Sequence, residues 1–334
     1  MRLIATEEAF SIPEVAARLN RLTHKGGDSL DFLLLESIYG DGKEDSGFQA
    51  ALKDIEDRRL KDMDANGVDM HLLSLTAPGV QMFDPEEGTA LAALANDRLA
   101  EVIGRHPTRF AGLASFAPQD PQASAREIER ARRQLRLNGL VVNSHTNNEY
   151  YDDPKFWDIF AAAEAEDMAI YIHPRAPSNQ FADAFRDYFL DSAMWGYGIE
   201  VSTHCLRLIC SGLFDRFPKL KIVIGHMGEG IPFWLWRIDY MHAVGRKAGR
   251  TPALELKPSE YFLRNFAITT SGQENPLALD YSVKMLGAEN VLWAIDYPYQ
   301  ETAPAVEFIR SAPLDEKTKA LVAGGNAARI FHID

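Results

Sequence analysis

The 334-residue chain reads as a (β/α)8 TIM barrel, an all-parallel α/β architecture, on three observations. Eight short apolar runs bounded by breakers alternate with helical stretches. Strands alternating with helices demand parallel pairing through right-handed crossovers. Four runs lead into Glu, His, His and Asp: Leu3-Ile-Ala-Thr-Glu7, Ala169-Ile-Tyr-Ile-His173, Lys221-Ile-Val-Ile-Gly-His226 and Val291-Leu-Trp-Ala-Ile-Asp296. A barrel gathers the C-terminal ends of its strands at one mouth, so these side chains imply one shared polar site. An open doubly wound sheet is the alternative, but no early strand is followed by a Gly-x-Gly-x-x-Gly or Gly-Lys-Ser/Thr phosphate loop.

Residues 3–7 form the first expected strand. Residues 11–48 break the rhythm through the loop-like stretches Lys25-Gly-Gly-Asp-Ser and Tyr39-Gly-Asp-Gly-Lys-Glu-Asp-Ser. They are expected as an insertion that caps the site or makes a subunit contact. Residues 48–66 follow a helical pattern, with Leu52, Ile55, Leu60 and Met63 on one side and Gly67 at the stop position. Met70–Leu75 is the second strand. The unit then repeats, with helices at 86–105, 121–137 and 155–167 and strands at 112–116, 139–143 and 169–173. Residues 175–200 are long and aromatic, and a helix at 201–217 feeds the strand leading to His226. A helix at 231–244, a polar stretch and a strand at 267–270 come next. A helix at 276–286, the Asp296 strand and a helix at 316–330 close the chain. The expected organisation is one domain over 1–334 with the insertion at 11–48.

Hydrophobic content of 46% supports a large core, and a charged fraction of 25% is ordinary for a soluble protein. The net charge of -13 argues against a nucleic-acid partner, which needs clustered Lys and Arg. It does not exclude an anionic substrate held by one or two local arginines. No apolar run approaches the ~20 residues that a bilayer span needs. The start at Met1–Ala5 has no signal-like pattern, and Cys205 and Cys210, five apart on an expected helix, read as reduced thiols. A cytoplasmic protein with neither nucleic-acid nor membrane partners is expected.

A lone His or Asp at a strand end is commonly a hydrogen-bonded structural residue. Four that converge on one barrel mouth shift that balance. Mixed imidazole and carboxylate donors suit a divalent ion such as Mn²⁺ or Zn²⁺. Asp296, stopped by Pro298 at the end of a buried run, is the first candidate for catalysis.

The motifs Ala5-Thr-Glu-Glu-Ala-Phe10, Thr76-Ala-Pro-Gly-Val-Gln81, Ala117-Pro-Gln-Asp-Pro121 and Asn143-Ser-His-Thr146 run along the first half of the chain. Ile172-His-Pro174, Gly225-His-Met-Gly-Glu229, Trp236-Arg-Ile-Asp239 and Asp296-Tyr-Pro-Tyr-Gln300 continue through the second. As a set they resemble the decarboxylase branch of the amidohydrolase superfamily, which includes 5-carboxyvanillate, γ-resorcylate and 2,3-dihydroxybenzoate decarboxylases.

The resemblance implies one catalytic divalent metal, Mn²⁺ favoured and Zn²⁺ the other candidate, with no organic cofactor. Its ligands would be Glu7, His173 and Asp296, with His226 close by as a second catalytic residue. The implied reaction is nonoxidative decarboxylation of a hydroxylated aromatic carboxylate, 5-carboxyvanillate-like or dihydroxybenzoate-like, with Asp296 carrying the proton to the ring. Arg237 would clamp a substrate carboxylate, Tyr299 would donate its hydroxyl, Tyr197 would stack on the ring and Thr76 would contact the substrate. The plainer alternatives are a surface ion pair for Arg237 and packing for the tyrosines. Arg175 resembles the dihydroxybenzoate enzymes, and His145 is placed to reach the pocket. Hydrolases of the superfamily carry His-x-His after strand one, where this chain has Glu7 and Ala9. That departure counts against the alternative function, metal-dependent hydrolysis of a lactone or related ring. The family's habit implies a homodimer or homotetramer. The remaining histidines, His24, His71, His106, His204, His242 and His332, are read as structural.

Overall fold

The computed structural model describes residues 1–43 and 47–334; Glu44–Ser46, the end of the second loop-like stretch, lies outside the described residues. Eight strands, β1 (Ile4–Phe10), β2 (Met70–Leu75), β3 (Phe110–Ser115), β4 (Gly139–Asn143), β5 (Ile170–His173), β6 (Ile222–Ile224), β7 (Phe266–Thr269) and β8 (Val291–Leu292), pair in sequence order. Every pairing is parallel. This is the (β/α)8 barrel that the alternating pattern predicts.

Period-2 alternation sorts the strand side chains into two layers. Leu72, Leu113, Val141, Tyr171, Val223 and Leu292 form one buried cluster, joined by Ile330 and Phe331 from the C-terminal tail. Their alternates Leu73, Ala114, Val142, Ile172, Ile224 and Ile268 belong to the larger cluster shared with the helices.

Among its described residues the β1–β2 connection holds four helices, α1 (Pro13–Lys25), α2 (Asp31–Tyr39), α3 (Gly47–Lys53) and α4 (Asp57–Asn66). The next three connections hold α5 (Pro85–Arg105), α6 (Pro121–Arg133) and α7 (Trp157–Ala165). Helices α8 (Asn179–Phe185), α9 (Gly196–Cys210) and α10 (Leu213–Arg216) lie between β5 and β6, and α11 (Ile231–Lys247) and α12 (Pro258–Asn265) between β6 and β7. Helix α13 (Pro276–Leu286) precedes β8, and α14 (Thr302–Ser311), α15 (Glu316–Ala320) and α16 (Asn326–Ile330) end the chain. Helices α5, α6 and α13 start as Asp-Pro or Asn-Pro, with the Asp84, Asp120 and Asn275 side chains accepting backbone N–H groups of the first turn.

Four expectations are corrected. The stretch at 11–48 is largely helical, because α1 and α2 occupy most of it. The single helix expected over 48–66 breaks between α3 and α4; Leu52, Ile55, Leu60 and Met63 pack on the core as expected, and Arg59 in α4 is fully buried as well. Helices α12 and α14 fill stretches for which no helix was expected. The closing helix is interrupted by a π turn at Leu321–Gly325. There a Cβ on Gly324 would come within 2.6 Å of the Arg2 carbonyl, so only glycine lets this turn approach the start of β1.

The N-terminal helices are tied to the barrel by a buried ion pair. Arg175, two residues beyond β5, donates from Nε (3.1 Å) and Nη2 (2.5 Å) to the carboxylate of Asp31 at the start of α2, and from Nη1 to the His145 carbonyl (2.9 Å). The geometry is bidentate and both side chains are at most 3% exposed. The guanidinium that resembles the dihydroxybenzoate enzymes is thus committed to the connection. Burial would raise the Asp31 carboxyl, but the Arg175 charge outweighs it and holds the group below its usual value.

Removing one partner of a buried pair leaves the other uncompensated, so Asp31→Ala should cost about 3–5 kcal/mol, read as a lower denaturant midpoint. The folded-state pKa of Asp31 is depressed, so its contribution is present above the unfolded value of about 3.9 and is lost as pH falls through the folded one. The stability gap between wild type and Asp31→Ala should therefore narrow below about pH 4. A gap that stays constant down to pH 2 would contradict this account.

Candidate metal centre and active site

Two irregularities in the barrel bring the acids of the site together. The first is a bulge in β1: Ala5 pairs with His71 but Glu8 pairs with Leu73, so β1 spends one extra residue there. The parity of β1 flips, and Glu7 faces the barrel interior from the middle of the strand rather than from its end. The second is the early end of the β7–β8 ladder, which stops at Leu292 although the apolar run continues to Ile295. The backbone amides beyond Leu292 find other acceptors: Trp293 N–H bonds the Val322 carbonyl (2.9 Å) and Ala294 N–H bonds Thr270 Oγ1 (3.1 Å). Asp296 follows in the left-handed region at φ 77°. For a residue other than glycine this costs on the order of 1–3 kcal/mol and must be held by its surroundings.

Glu7 is 2% exposed and its two oxygens are treated differently. Oε2 accepts hydrogen bonds from three hydroxyls, those of Tyr171, Ser271 and Thr269, the last at 3.1 Å. Oε1 is buried and has no hydrogen-bond partner among the described residues. Gly225 makes room for this carboxylate, since a Cβ there would lie 2.8 Å from Oε2 and 3.0 Å from Oε1.

His173 ends β5 on the same face as Tyr171. Its Nδ1–H donates to the Pro174 carbonyl (2.7 Å), which leaves the Nε2 lone pair free, 3.5 Å from Glu7 Oε1. Burial keeps this imidazole on the neutral side, against the pull of Glu7.

His226 lies in a left-handed turn two residues after β6, and its Nδ1 bonds Glu229 at 2.7 Å while Nε2 stands 3.9 Å from Glu7 Oε1. Burial disfavours its charging, but the Glu229 and Glu7 carboxylates outweigh burial and raise it to about 10. Burial, and next the Glu7 charge, push the Asp296 carboxyl well above the carboxylate range.

One ligand atom each from Glu7, His173 and Asp296 lies within 4.8 Å of the others. Two carboxylates and one imidazole, with an unpartnered buried oxygen and a tautomer fixed for Nε2 donation, fit a divalent cation. The charge balance asks for one as well. Glu7, Glu229 and Asp296 face a single imidazolium, and buried carboxylates need a counter-charge.

A cavity of about 650 Å³ opens above this cluster, within the range of small-molecule sites. Trp195, Tyr197, His226, Trp234, Asp296 and Gln300 contribute to its wall. Thr76 and Tyr299 bond each other through their hydroxyls at 2.7 Å.

Arg237 is not brought to this cavity. It is exposed on α11, whose residues Ile231, Trp234 and Ile238 line the cavity, and no Arg or Lys is found in the cavity wall among the described residues. His145 donates its Nε2–H to the Ala176 carbonyl (3.1 Å) close to the Arg175–Asp31 pair, and burial lowers it to about 3, so it is a neutral packing residue.

Sequence reasoning missed the hydroxyl cradle of Glu7 and the partner of His226. Tyr171 has the parity of His173 two residues earlier, and Glu229 lies within the Gly225-His-Met-Gly-Glu229 motif, so both carried a usable signal. Ser271 and Thr269 carried none beyond their place at the end of β7.

A family model described as Amidohydrolase matches residues 48–333. The γ-resorcylate decarboxylase of Rhodococcus jostii is 37% identical over 99% of this chain and 98% of that protein. Among solved structures, 5-carboxyvanillate decarboxylase LigW from Sphingomonas paucimobilis shares 62% identity with a TM-score of 0.98, covering 100% of this chain and 99% of that one. A 5-carboxyvanillate decarboxylase from Novosphingobium aromaticivorans, complexed with manganese and 4-hydroxy-3-methoxy-5-nitrobenzoic acid, is 37% identical with a TM-score of 0.95, covering 99% and 96%. With an acidic cation site at the mouth of a parallel barrel and relatives matched from end to end, the chain belongs to the amidohydrolase family.

Proposed function

We propose that this protein is a metal-dependent, nonoxidative decarboxylase of a hydroxylated aromatic carboxylate. The first substrate class is 5-carboxyvanillate-like and the second dihydroxybenzoate-like, following the activities of the relatives. The observation that carries the reading is the donor set of Glu7, His173 and Asp296 beneath a cavity of small-molecule size. Manganese is the favoured ion because it is bound in the Novosphingobium relative.

A bound divalent ion supplies Lewis-acid charge to the phenolic and carboxylate oxygens of the substrate. The residues of the chain do the rest. Glu7, fixed by three hydroxyl donors, and His173, fixed by its bond to Pro174, define the floor of the site. Tyr197 lies in the cavity wall, where its ring can pack against the substrate ring. Asp296, at the cavity wall, delivers a proton from its carboxyl to the ring carbon bearing the carboxylate. A C–H bond forms and aromaticity is lost. The C–C bond to the carboxylate then breaks, its electron pair returns to the ring and CO₂ leaves. One proton is consumed, and Asp296 is reprotonated from solvent. His226, charged and oriented by Glu229, holds the substrate anion beside Asp296.

We also propose that the chain acts as one barrel domain in the cytoplasm, in line with its two unpaired cysteines. No helix among the described residues is long and apolar enough to cross a membrane. A homodimer or homotetramer is favoured by an exposed apolar face on α11 and α13. Phe233 (72% exposed), Trp236 (73%) and Leu277 (79%) belong to it, and a contiguous patch of this kind marks a contact surface. The face adjoins Trp234, so a second copy seated there would also enclose one side of the cavity.

Purified protein should hold about one divalent ion per chain, and His173→Ala should weaken the affinity by 10-fold or more, measured by equilibrium dialysis. Full turnover in metal-stripped protein would sink the reading. Asp296→Asn keeps the size and an oxygen donor but removes the proton, so CO₂ release should fall by about 10²-fold or more while substrate still binds. Solvent deuterium should no longer enter the product at the vacated carbon. For assembly, light scattering should give a multiple of the chain mass, and Phe233→Glu with Trp236→Glu should shift it to the single-chain value. A wild-type monomer at micromolar concentration would contradict the proposed association.

A further inference from the structure

The barrel has a seam between β8 and β1. No backbone ladder joins these strands among the described residues, and side chains bridge much of the gap instead. Thr6 Oγ1 donates to the Trp293 carbonyl at 2.8 Å, and Ala9 N–H donates to the Tyr297 carbonyl at 2.8 Å. Between them stands Glu8, fully buried, which no step of the reaction uses. Its Oε1 accepts the backbone N–H of Ile295 and its Oε2 that of Tyr297, both at 3.0 Å. These are the amides on either side of Asp296.

We infer that Glu8 is the positioning residue for Asp296. Two bonds from one rigid carboxylate fix the backbone before and after Asp296, and with it the direction of the Asp296 side chain. That residue needs a hold of this kind, because its φ of 77° is unfavourable for any side chain. The carboxylate is backed in turn. Arg59, also fully buried, donates from Nη2 to the Ala9 carbonyl at 2.5 Å and lies 4.6 Å above the Tyr297 ring, on the same short loop. His71 Nδ1 stands 4.0 Å from Glu8 Oε2. The adjacent acids Glu7 and Glu8 therefore divide the work: one faces His173 and Asp296 in the donor cluster, and the other holds the second acid of the site in place.

The inference rests on the reading of Asp296 as ligand and proton carrier, and the test keeps the two apart. Glu8→Gln preserves volume but turns an NH₂ toward one of the two amides, and Glu8→Asp keeps the carboxyl group but draws it back from both. In either folded variant, kcat at saturating Mn²⁺ should fall 10- to 100-fold with KM within about threefold, as expected for a misplaced reacting group. Affinity for Mn²⁺ alone, measured by equilibrium dialysis, should weaken by about 10-fold or more. Thr6→Val, which removes a different bond of the same seam, should leave kcat and Mn²⁺ affinity near wild type. A purely structural Glu8 would lower the yield or melting temperature of its variants without moving either constant in the folded fraction. Wild-type kcat and Mn²⁺ affinity in a folded Glu8 variant would overturn the inference, as would equal losses in Thr6→Val. Failure of both Glu8 variants to fold would assign Glu8 to folding and overturn it too. If Asp296→Asn retains turnover, the proton-carrier reading fails on its own, and Mn²⁺ affinity alone then decides the role of Glu8.

Discussion

Buried negative charge is the constraint on which this site depends. Glu7 and Asp296 are brought within a few ångströms of each other in a setting where an unpaired carboxylate is costly. Three hydroxyl donors satisfy one oxygen of Glu7 and leave the other bare. His226 contributes one positive charge, but Glu229 lies against it and claims part of it. A divalent cation resolves the imbalance; without one, burial first and the Glu7 charge next raise the Asp296 carboxyl.

The arrangement is reached by departing from a regular barrel at two neighbouring places. A regular β1 would send Glu7 outward with the wrong parity, and the bulge after Ala5 prevents this. A regular β8 would carry its ladder through Ile295 and leave Asp296 extended, but the ladder ends at Leu292 and the chain turns left-handed. The two irregular strands are adjacent across the seam. Each supplies one acid, and the contacts that bridge them substitute for the missing ladder.

The sequence made the regular part of this structure legible, and the reason is periodicity. The strand runs at 70–75, 139–143 and 169–173 and the helices opened by Asp-Pro or Asn-Pro announce themselves locally. So do His173, His226 and Asp296, each following a short buried run. The bulge is not legible, because an inserted residue in Ile4–Phe10 leaves the run equally apolar. The end of β8 is hidden for a similar reason: Trp293 to Ile295 are as buried as a paired strand, and only distant acceptors such as the Val322 carbonyl show where the ladder stops. Arg59 defeats pattern reading outright, since a charged residue at a helical core position looks like an error until its partners are known.

Arg237 shows the opposite limit. Its motif places it near the site in sequence, but Trp234 and Ile238 line the cavity while Arg237 does not. The cavity wall is then acidic and aromatic, with His226 as its positive group. An aromatic acid entering such a site meets apolar walls for its ring and depends on the metal and His226 for its charge. Recognition would thus be strongest at the carbon undergoing reaction, where cation, imidazolium and Asp296 lie together, and weaker toward the far end of the ring.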